Sequence, residues 1–220
     1  MGDPKFKLGI GLPLTSDKVY SQFLDSWTLT EKPDFVYHRP QFPAGPTTSI
    51  AEIRNDIVTQ ALESGVTHLL QLDTDQTYPP DLIKRLLSHN LPIVSAKVHR
   101  RYPPFDPILY RGPVEKVEPV PEEEWKQHGL VEVNATGAAC MLVKTDVYLD
   151  VEYPWYEFVS RKEGRDIGED VYFCYKAREA GYKIFVDCSI QIGHLGPFEM
   201  NESFYDLYKV LTRRKKKDGS

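Results

Sequence analysis

Along this chain the apolar residues switch between the compact runs typical of strands and the three-to-four step typical of helices. "KFKLGIGL" (5–12) is a short apolar run closed by Pro13 and reads as a strand. In "DKVYSQFLDSWTL" (17–29), Val19, Phe23 and Trp27 recur at helical spacing and predict a helix. "DFVYH" (34–38) predicts a second short strand. Ile50, Ile53, Ile57, Val58, Ala61 and Leu62 then form one helical stripe that stops at Gly65. Its start carries Ser49 with Glu52 three positions on, the pattern of a capping box. "THLLQLD" (67–73) is nearly continuously apolar, as a strand is when helices cover both faces of its sheet. "PPDLIKRLLSH" (79–89) opens a helix on prolines, and "LPIVSAKV" (91–98) predicts another strand. This alternation predicts an α/β fold: an open, Rossmann-like, mostly parallel sheet flanked by helices on both faces.

The second half is less regular. "PILYRG" (107–112), "LVEVNATGAACMLVK" (130–144) and "YKIFVDCSIQIGH" (182–194) predict strands, with helices at about 145–150, 168–180 and 202–216. The segment 113–129, with "VEPVPEEEW", reads as an exposed loop or a short helix. No internal repeat is present, and composition shifts only at the proline-rich loops 40–46 and 103–121 and at the basic end. The 220 residues suit one large domain or two small ones, and 41% hydrophobic residues are ample for a buried core. The expected organisation is a single domain over residues 1–200, in halves of about 1–100 and 101–200, followed by a C-terminal helix and tail over 201–220.

The formal net charge of −5 argues against a general nucleic-acid binder, but "RRKKK" (213–217) makes the tail basic and the body more acidic still. That tail either rests weakly on an anionic membrane or nucleic acid, or is the solvated end of a helix packed on the domain, the reading preferred here. Cys140, Cys174 and Cys188 are odd in number and sit in apolar stretches, which predicts reduced core thiols rather than disulfides. No segment approaches the roughly 20 apolar residues needed to span a bilayer, and the N-terminal apolar run is too short for a secretory signal, so a cytoplasmic location is expected.

The candidate chemistry begins in "LLQLDTDQTYPP" (69–80), where Asp73 and Asp75 stand two positions apart at a strand end. Like charges held close repel unless a cation, a proton or hydrogen-bond donors compensate, and a divalent metal ion is the expected partner. A solvated turn or helix cap is the alternative for an isolated Asp-x-Asp. In open α/β sheets ligands bind beyond the carboxyl ends of strands, where Pro13–Ser16, Asp73–Asp75 and Lys97–Arg101 all fall. "GED" (168–170) precedes an amphipathic helix, so Glu169 and Asp170 serve either its N-terminal dipole or a reaction.

Five stretches in order, "IGLPLTSDKV", "IAEIRNDIVTQALESGVTHLLQLDTDQTYPPDLI", "ATGAACMLVKTDVY", "GEDVYFCYKAREAGYKIFVD" and "IGHLG", span roughly residues 8–196. Together they resemble the GT-A glycosyltransferases, particularly the family-2-like enzymes of bacteria and phages. The resemblance implies that Asp73 and Asp75, with Thr74 between them, hold a divalent ion against the diphosphate of a nucleotide-sugar, directly or through water. It implies His194 as a third ligand, with a packed strand-end histidine as the alternative; imidazole tilts the choice slightly to Mn²⁺ over Mg²⁺. Asp170, beside Glu169, would be the general base of an inverting enzyme, slightly favoured here; retaining relatives carry a similar acidic motif without a base role.

The same resemblance places Pro13, Leu14 and Thr15 around the nucleotide base. Arg54 would face the nucleotide, or else lie on the surface paired with Asp56 or Glu52. Lys97, His99, Arg100 and Arg101 would meet phosphate or acceptor, a choice the sequence leaves open. Where relatives often hold an acid that binds the base, this chain has "YHRP", which weakens the case for uridine; a UDP-hexose or UDP-N-acetylhexosamine donor is still favoured. "ATGAAC" (135–140) is a small-residue turn that lets backbone approach a sugar. Trp155 and Tyr156 are acceptor-stacking candidates, although burial is the preferred reading. The acceptor would be a hydroxyl of a glycan, lipid, protein or modified nucleic acid. The competing readings are a nucleotidyltransferase, which should show a basic glycine-rich signature that "GIGLPLTSD" lacks, and a non-catalytic sugar-nucleotide or glycan-binding module. The sequence does not specify an oligomeric state.

Overall fold

The chain runs through β1 (Leu8–Gly11), α1 (Ser21–Leu29), β2 (Phe35–His38), α2 (Ile50–Glu63), β3 (His68–Leu72), β4 (Gln76–Thr77), α3 (Leu82–Ser88) and β5 (Ile93–Lys97). It continues through β6 (Leu109–Arg111), β7 (Glu118–Pro119), α4 (Glu122–Trp125), β8 (Leu130–Val133), β9 (Ala135–Thr136) and β10 (Cys140–Lys144). It ends with α5 (Thr145–Asp150), α6 (Glu169–Glu179), β11 (Ile184–Gln191) and β12 (Gly193–His194). This computed structural model describes residues 6–41, 48–127, 129–161 and 166–197, with Glu202, Phe204, Asp206, Leu207, Lys209 and Val210 beyond them. Those last six positions are helical, while the basic run 213–217 lies outside the described residues.

Seven strands form the main sheet in the order β2-β1-β3-β10-β5-β11-β8. β1 is parallel to β2 and β3, and β5 is parallel to β11. β10 runs against both β3 and β5, so those two share a direction, and β8 runs against β11 at the edge. The sheet is thus mixed and mostly parallel, with helices on both faces. Alternation along β3 shows why its sequence is so apolar: Leu69 enters the core beneath α2, α5 and α6, while Leu70 and Leu72 enter a second core beneath α1 and α3. All three leucines are fully buried.

The expected capping box is present: Ser49 Oγ accepts from the Glu52 N–H at 3.2 Å, and the Glu52 carboxylate accepts from the Ser49 N–H at 2.8 Å. Gly65, at φ +65°, follows the helix end in the left-handed region. The three cysteines are buried and in no disulfide, and burial pushes their thiols above the ordinary value. Trp155 and Tyr156 are also buried, with the Trp155 indole donating to the Tyr148 carbonyl at 2.7 Å.

Three expectations change. The run 130–144 is not one strand but three, because the Asn134 N–H donates to the Tyr110 carbonyl at 2.7 Å and draws β9 out of the main sheet to pair with β6. The run 182–194 divides where the register of β11 on β5 shifts near Gln191, leaving β12 to pair with β4. The first helix starts at Ser21 rather than near residue 17. No helix among the described residues is long and apolar enough to cross a membrane.

Candidate functional site

The site grows from the end of β3. The Asp73 N–H donates to the Ala139 carbonyl at 2.9 Å, and the buried Tyr78 hydroxyl donates to the carbonyls of Asp73 (2.7 Å) and Ala139 (3.1 Å). These bonds lock the Asp73–Asp75 turn against the "ATGAAC" segment. β4 then pairs antiparallel with β12, setting Thr77 opposite Gly193 and Gln76 opposite His194, and the Leu195 N–H donates to the Asp75 carbonyl at 2.7 Å. A Cβ on Gly193 would stand 2.5 Å from Thr77 Oγ1, so a larger residue here would force the Thr77 side chain to turn.

As a result His194 Nε2 lies 3.3 Å from Asp75 Oδ2, across 119 positions of sequence. His194 Nδ1 is 2.7 Å from the His99 carbonyl oxygen, which can only accept, so Nδ1 carries a proton and Nε2 is the atom turned to the carboxylate. Arg101 Nη1 donates to the same Asp75 Oδ2 at 2.9 Å. Burial would raise the Asp75 pKa, but the His194 hydrogen bond and charge, joined by Arg101, hold it below the ordinary carboxylate value. Burial would likewise lower His194, yet Asp75 more than offsets this and raises it.

A second network lies behind the turn. Arg54, only 3% exposed, donates from Nη2 to both oxygens of Asp73 (2.9 and 3.2 Å), from Nη1 to Gln71 Oε1 (3.3 Å) and from Nε to Glu169 Oε1 (3.3 Å). Burial opposes the guanidinium charge, but Asp73 and then Glu169 outweigh it and hold Arg54 firmly protonated. Glu169 and Asp170 open α6. The "ATGAAC" turn faces them: a Cβ on Gly137 would lie 3.5 Å from Asp170 Oδ2. Burial first, and then the Glu169 charge, push the Asp170 carboxyl up to about 7, with Arg54 pulling the other way.

In front of the turn opens a cavity of about 610 Å³. Of the candidates from the sequence, Pro13, Thr15, Ser16, Asp73, Thr74, Asp75 and Arg101 line it. Leu14 packs against the core under α1, and Arg54 sits behind the turn rather than facing the cavity, bound to Asp73 and Glu169 and not to Asp56 or Glu52. Lys97 is also turned away: it is buried, its Nζ lies 4.7 Å from the Trp125 ring centroid, and burial lowers its pKa. Lys18 and Tyr20 line the cavity without having been singled out in the sequence. Their helical-looking spacing concealed them, although Pro13 and Ser16 were available as signals that the loop continues.

Among the described residues no group of three or more His, Cys, Asp and Glu side chains is placed to hold a metal ion. Both oxygens of Asp73 are taken by Arg54, whose buried charge needs them. Asp75 Oδ2 and His194 Nε2 do converge, and a hard divalent ion that takes one or two protein ligands together with substrate phosphates fits that pair.

No family model and no curated protein matches the chain. Among solved structures it is similar to A197 from STIV, at 17% identity and a TM-score of 0.60, covering 87% of each chain. It is similar to GalNAc-T7, solved with UDP, GalNAc and Mn²⁺, at 12% identity and TM-score 0.54, covering 88% of this chain and 44% of that one. It is also similar to S. aureus TarS 1–349 in complex with UDP-GlcNAc, at 15% identity and TM-score 0.52, covering 90% of this chain and 60% of that one. The chain thus spans less than two thirds of the GalNAc-T7 and TarS chains. The chain shares the GT-A-like, Rossmann-like fold of these structures.

Proposed function

We propose that this protein is a divalent-metal-dependent glycosyltransferase that moves a sugar from a nucleoside-diphosphate sugar to an acceptor hydroxyl, with inversion. The observation that carries the reading is the meeting of Asp75, which lines the open cavity, with His194, a carboxylate oxygen and an imidazole nitrogen standing 3.3 Å apart. The nucleoside lies against Pro13 and Thr15, and the diphosphate reaches the Asp73–Asp75 turn. Mn²⁺ or Mg²⁺ held by Asp75 and His194 would offset the charge that the leaving diphosphate gains. The bound nucleotides named for GalNAc-T7 and TarS favour UDP-N-acetylhexosamine or a related UDP-sugar as donor.

The remaining work falls to this chain's own side chains. Asp170 accepts the proton of the attacking hydroxyl, and its raised pKa suits a base working near neutral pH. Glu169 stays bound to Arg54 and so keeps the start of α6 in register with the Asp73 turn. The small residues of "ATGAAC" leave room for the sugar beside Asp170. The acceptor belongs to the glycan, lipid, protein or modified nucleic-acid class, and buried reduced thiols fit work in the cytoplasm.

The test is a screen of nucleotide-sugars for hydrolysis with Mn²⁺, Mg²⁺ and EDTA, since transfer to water needs no acceptor. The expected result is release of a nucleoside diphosphate that stops on chelation. Failure of every nucleotide-sugar to bind or turn over with either ion overturns the reading.

A further inference from the structure

Asp75 Oδ2 is the oxygen that faces His194 Nε2, and it is also the oxygen that Arg101 grips at 2.9 Å. The seat assigned above to a divalent ion is therefore covered by a side chain. Arg101 is well suited to leave it. Its side chain is 38% exposed, its stem lies against Gly196, and its guanidinium carbon stands 5.5 Å from the ring centroid of the exposed Tyr102. An ion pair this open to water is weak, and the aromatic face offers the displaced cation another resting place.

The charge balance of the cavity points the same way. Each aspartate of the turn has an arginine: Asp73 has the buried Arg54, and Asp75 has the movable Arg101. A divalent ion arriving alone must both remove Arg101 from Asp75 and sit close to its charge. An ion arriving with a diphosphate brings the anion that takes up the freed guanidinium, and a planar guanidinium binds phosphate oxygens in pairs. Resting on the glycosyltransferase reading, we propose that Arg101 occupies the divalent ion's place on Asp75 in the donor-free protein and becomes a ligand of the donor's diphosphate once displaced. Ion and diphosphate then bind as a coupled pair, and the free protein is protected from stray cations.

The adjacent Arg100 supplies the control. It has the same charge, but its Nη2 donates to the Tyr110 hydroxyl and its guanidinium lies over that ring, away from Asp75. Mn²⁺ binding to the full chain, read by the loss of free-ion EPR signal, is compared for wild type, Arg101→Gln, Arg101→Lys, Arg100→Gln and Asp75→Asn, without and with inorganic pyrophosphate. Thermal unfolding checks that each variant is folded.

Without pyrophosphate, Arg101→Gln should tighten Mn²⁺ binding about 5-fold, the effect of a weak surface ion pair removed, with Arg101→Lys in between. With saturating Mn²⁺, the same Gln variant should bind pyrophosphate about 10-fold more weakly, as expected for one lost charge-assisted contact. Arg100→Gln should change either affinity by less than about 2-fold, since its charge is parked elsewhere. Unchanged or weaker Mn²⁺ binding in Arg101→Gln, or equal tightening in Arg100→Gln, overturns the role of Arg101 while leaving the metal site standing. Equal Mn²⁺ affinity in Asp75→Asn and wild type overturns the metal site itself.

Discussion

Arg54 and Asp73, nineteen positions apart in sequence, are joined by a two-pronged ion pair in which one guanidinium nitrogen reaches both carboxylate oxygens. The same guanidinium reaches Glu169 from its other side, 115 positions away, so one buried side chain ties the Asp73 turn to the start of α6. Breaking a buried pair by removing one partner leaves uncompensated charge and costs about 3–5 kcal/mol. Arg54→Met is therefore expected to lower unfolding free energy by about 3 kcal/mol, the low end because Asp73 keeps some exposure. Urea denaturation measures it. A loss under about 1 kcal/mol would mean that the network contributes little.

His194→Ala is expected to weaken Mn²⁺ binding by about 10-fold or more while shifting the thermal midpoint little, since the imidazole is partly exposed and its removal opens no sealed core. Asp75→Ala should abolish divalent-dependent nucleotide-sugar binding in a protein that still folds. Parallel EPR titration and thermal melts decide the point, and equal Mn²⁺ binding in His194→Ala and wild type makes the histidine structural.

Asp170 sets the pH dependence. A general base works only as its carboxylate, and burial with the Glu169 charge raises this carboxyl to about 7, so transfer should fall as pH drops through about 7. Asp170→Asn should keep donor and metal binding, lower transfer by about 10² to 10⁴-fold, and flatten that acid limb. NMR of the product anomer reads the stereochemistry. Near-normal transfer in Asp170→Asn, with the acid limb intact, would move the base to another group.

Gln76, on β4 opposite His194, is fully buried, and neither polar atom of its side-chain amide has a hydrogen-bond partner. An unpartnered buried amide is destabilising, whereas an apolar side chain of similar volume has nothing to desolvate. Gln76→Leu is expected to raise stability by about 1–2 kcal/mol in urea or thermal unfolding. A destabilised variant would show that the amide is partnered in solution.

Local sequence determined which segments became strands and helices in the first hundred residues, because periodicity and caps act within a few positions. The stripe from Ile50 to Leu62, the capping box of Ser49 and Glu52, and the apolar run of β3 were all legible for that reason. The Asp73–Asp75 pair was also visible as an unbalanced charge at a strand end. The resemblance named Arg54, Arg101 and His194 as site residues, but not that Arg54 balances Asp73 and Arg101 shares Asp75 with His194: they come from 19, 26 and 119 positions away, and no spacing rule acts over such distances. Tertiary packing also decided that Lys97 turns under Trp125 and that Leu14 joins the core, since a strand's period assigns a side chain to a face but not to a partner. It split 130–144 into three strands for a similar reason. The apolar pattern permitted one long strand, but the carbonyl of Tyr110 and the edge of β6 offered hydrogen bonds that the main sheet could not supply at that point.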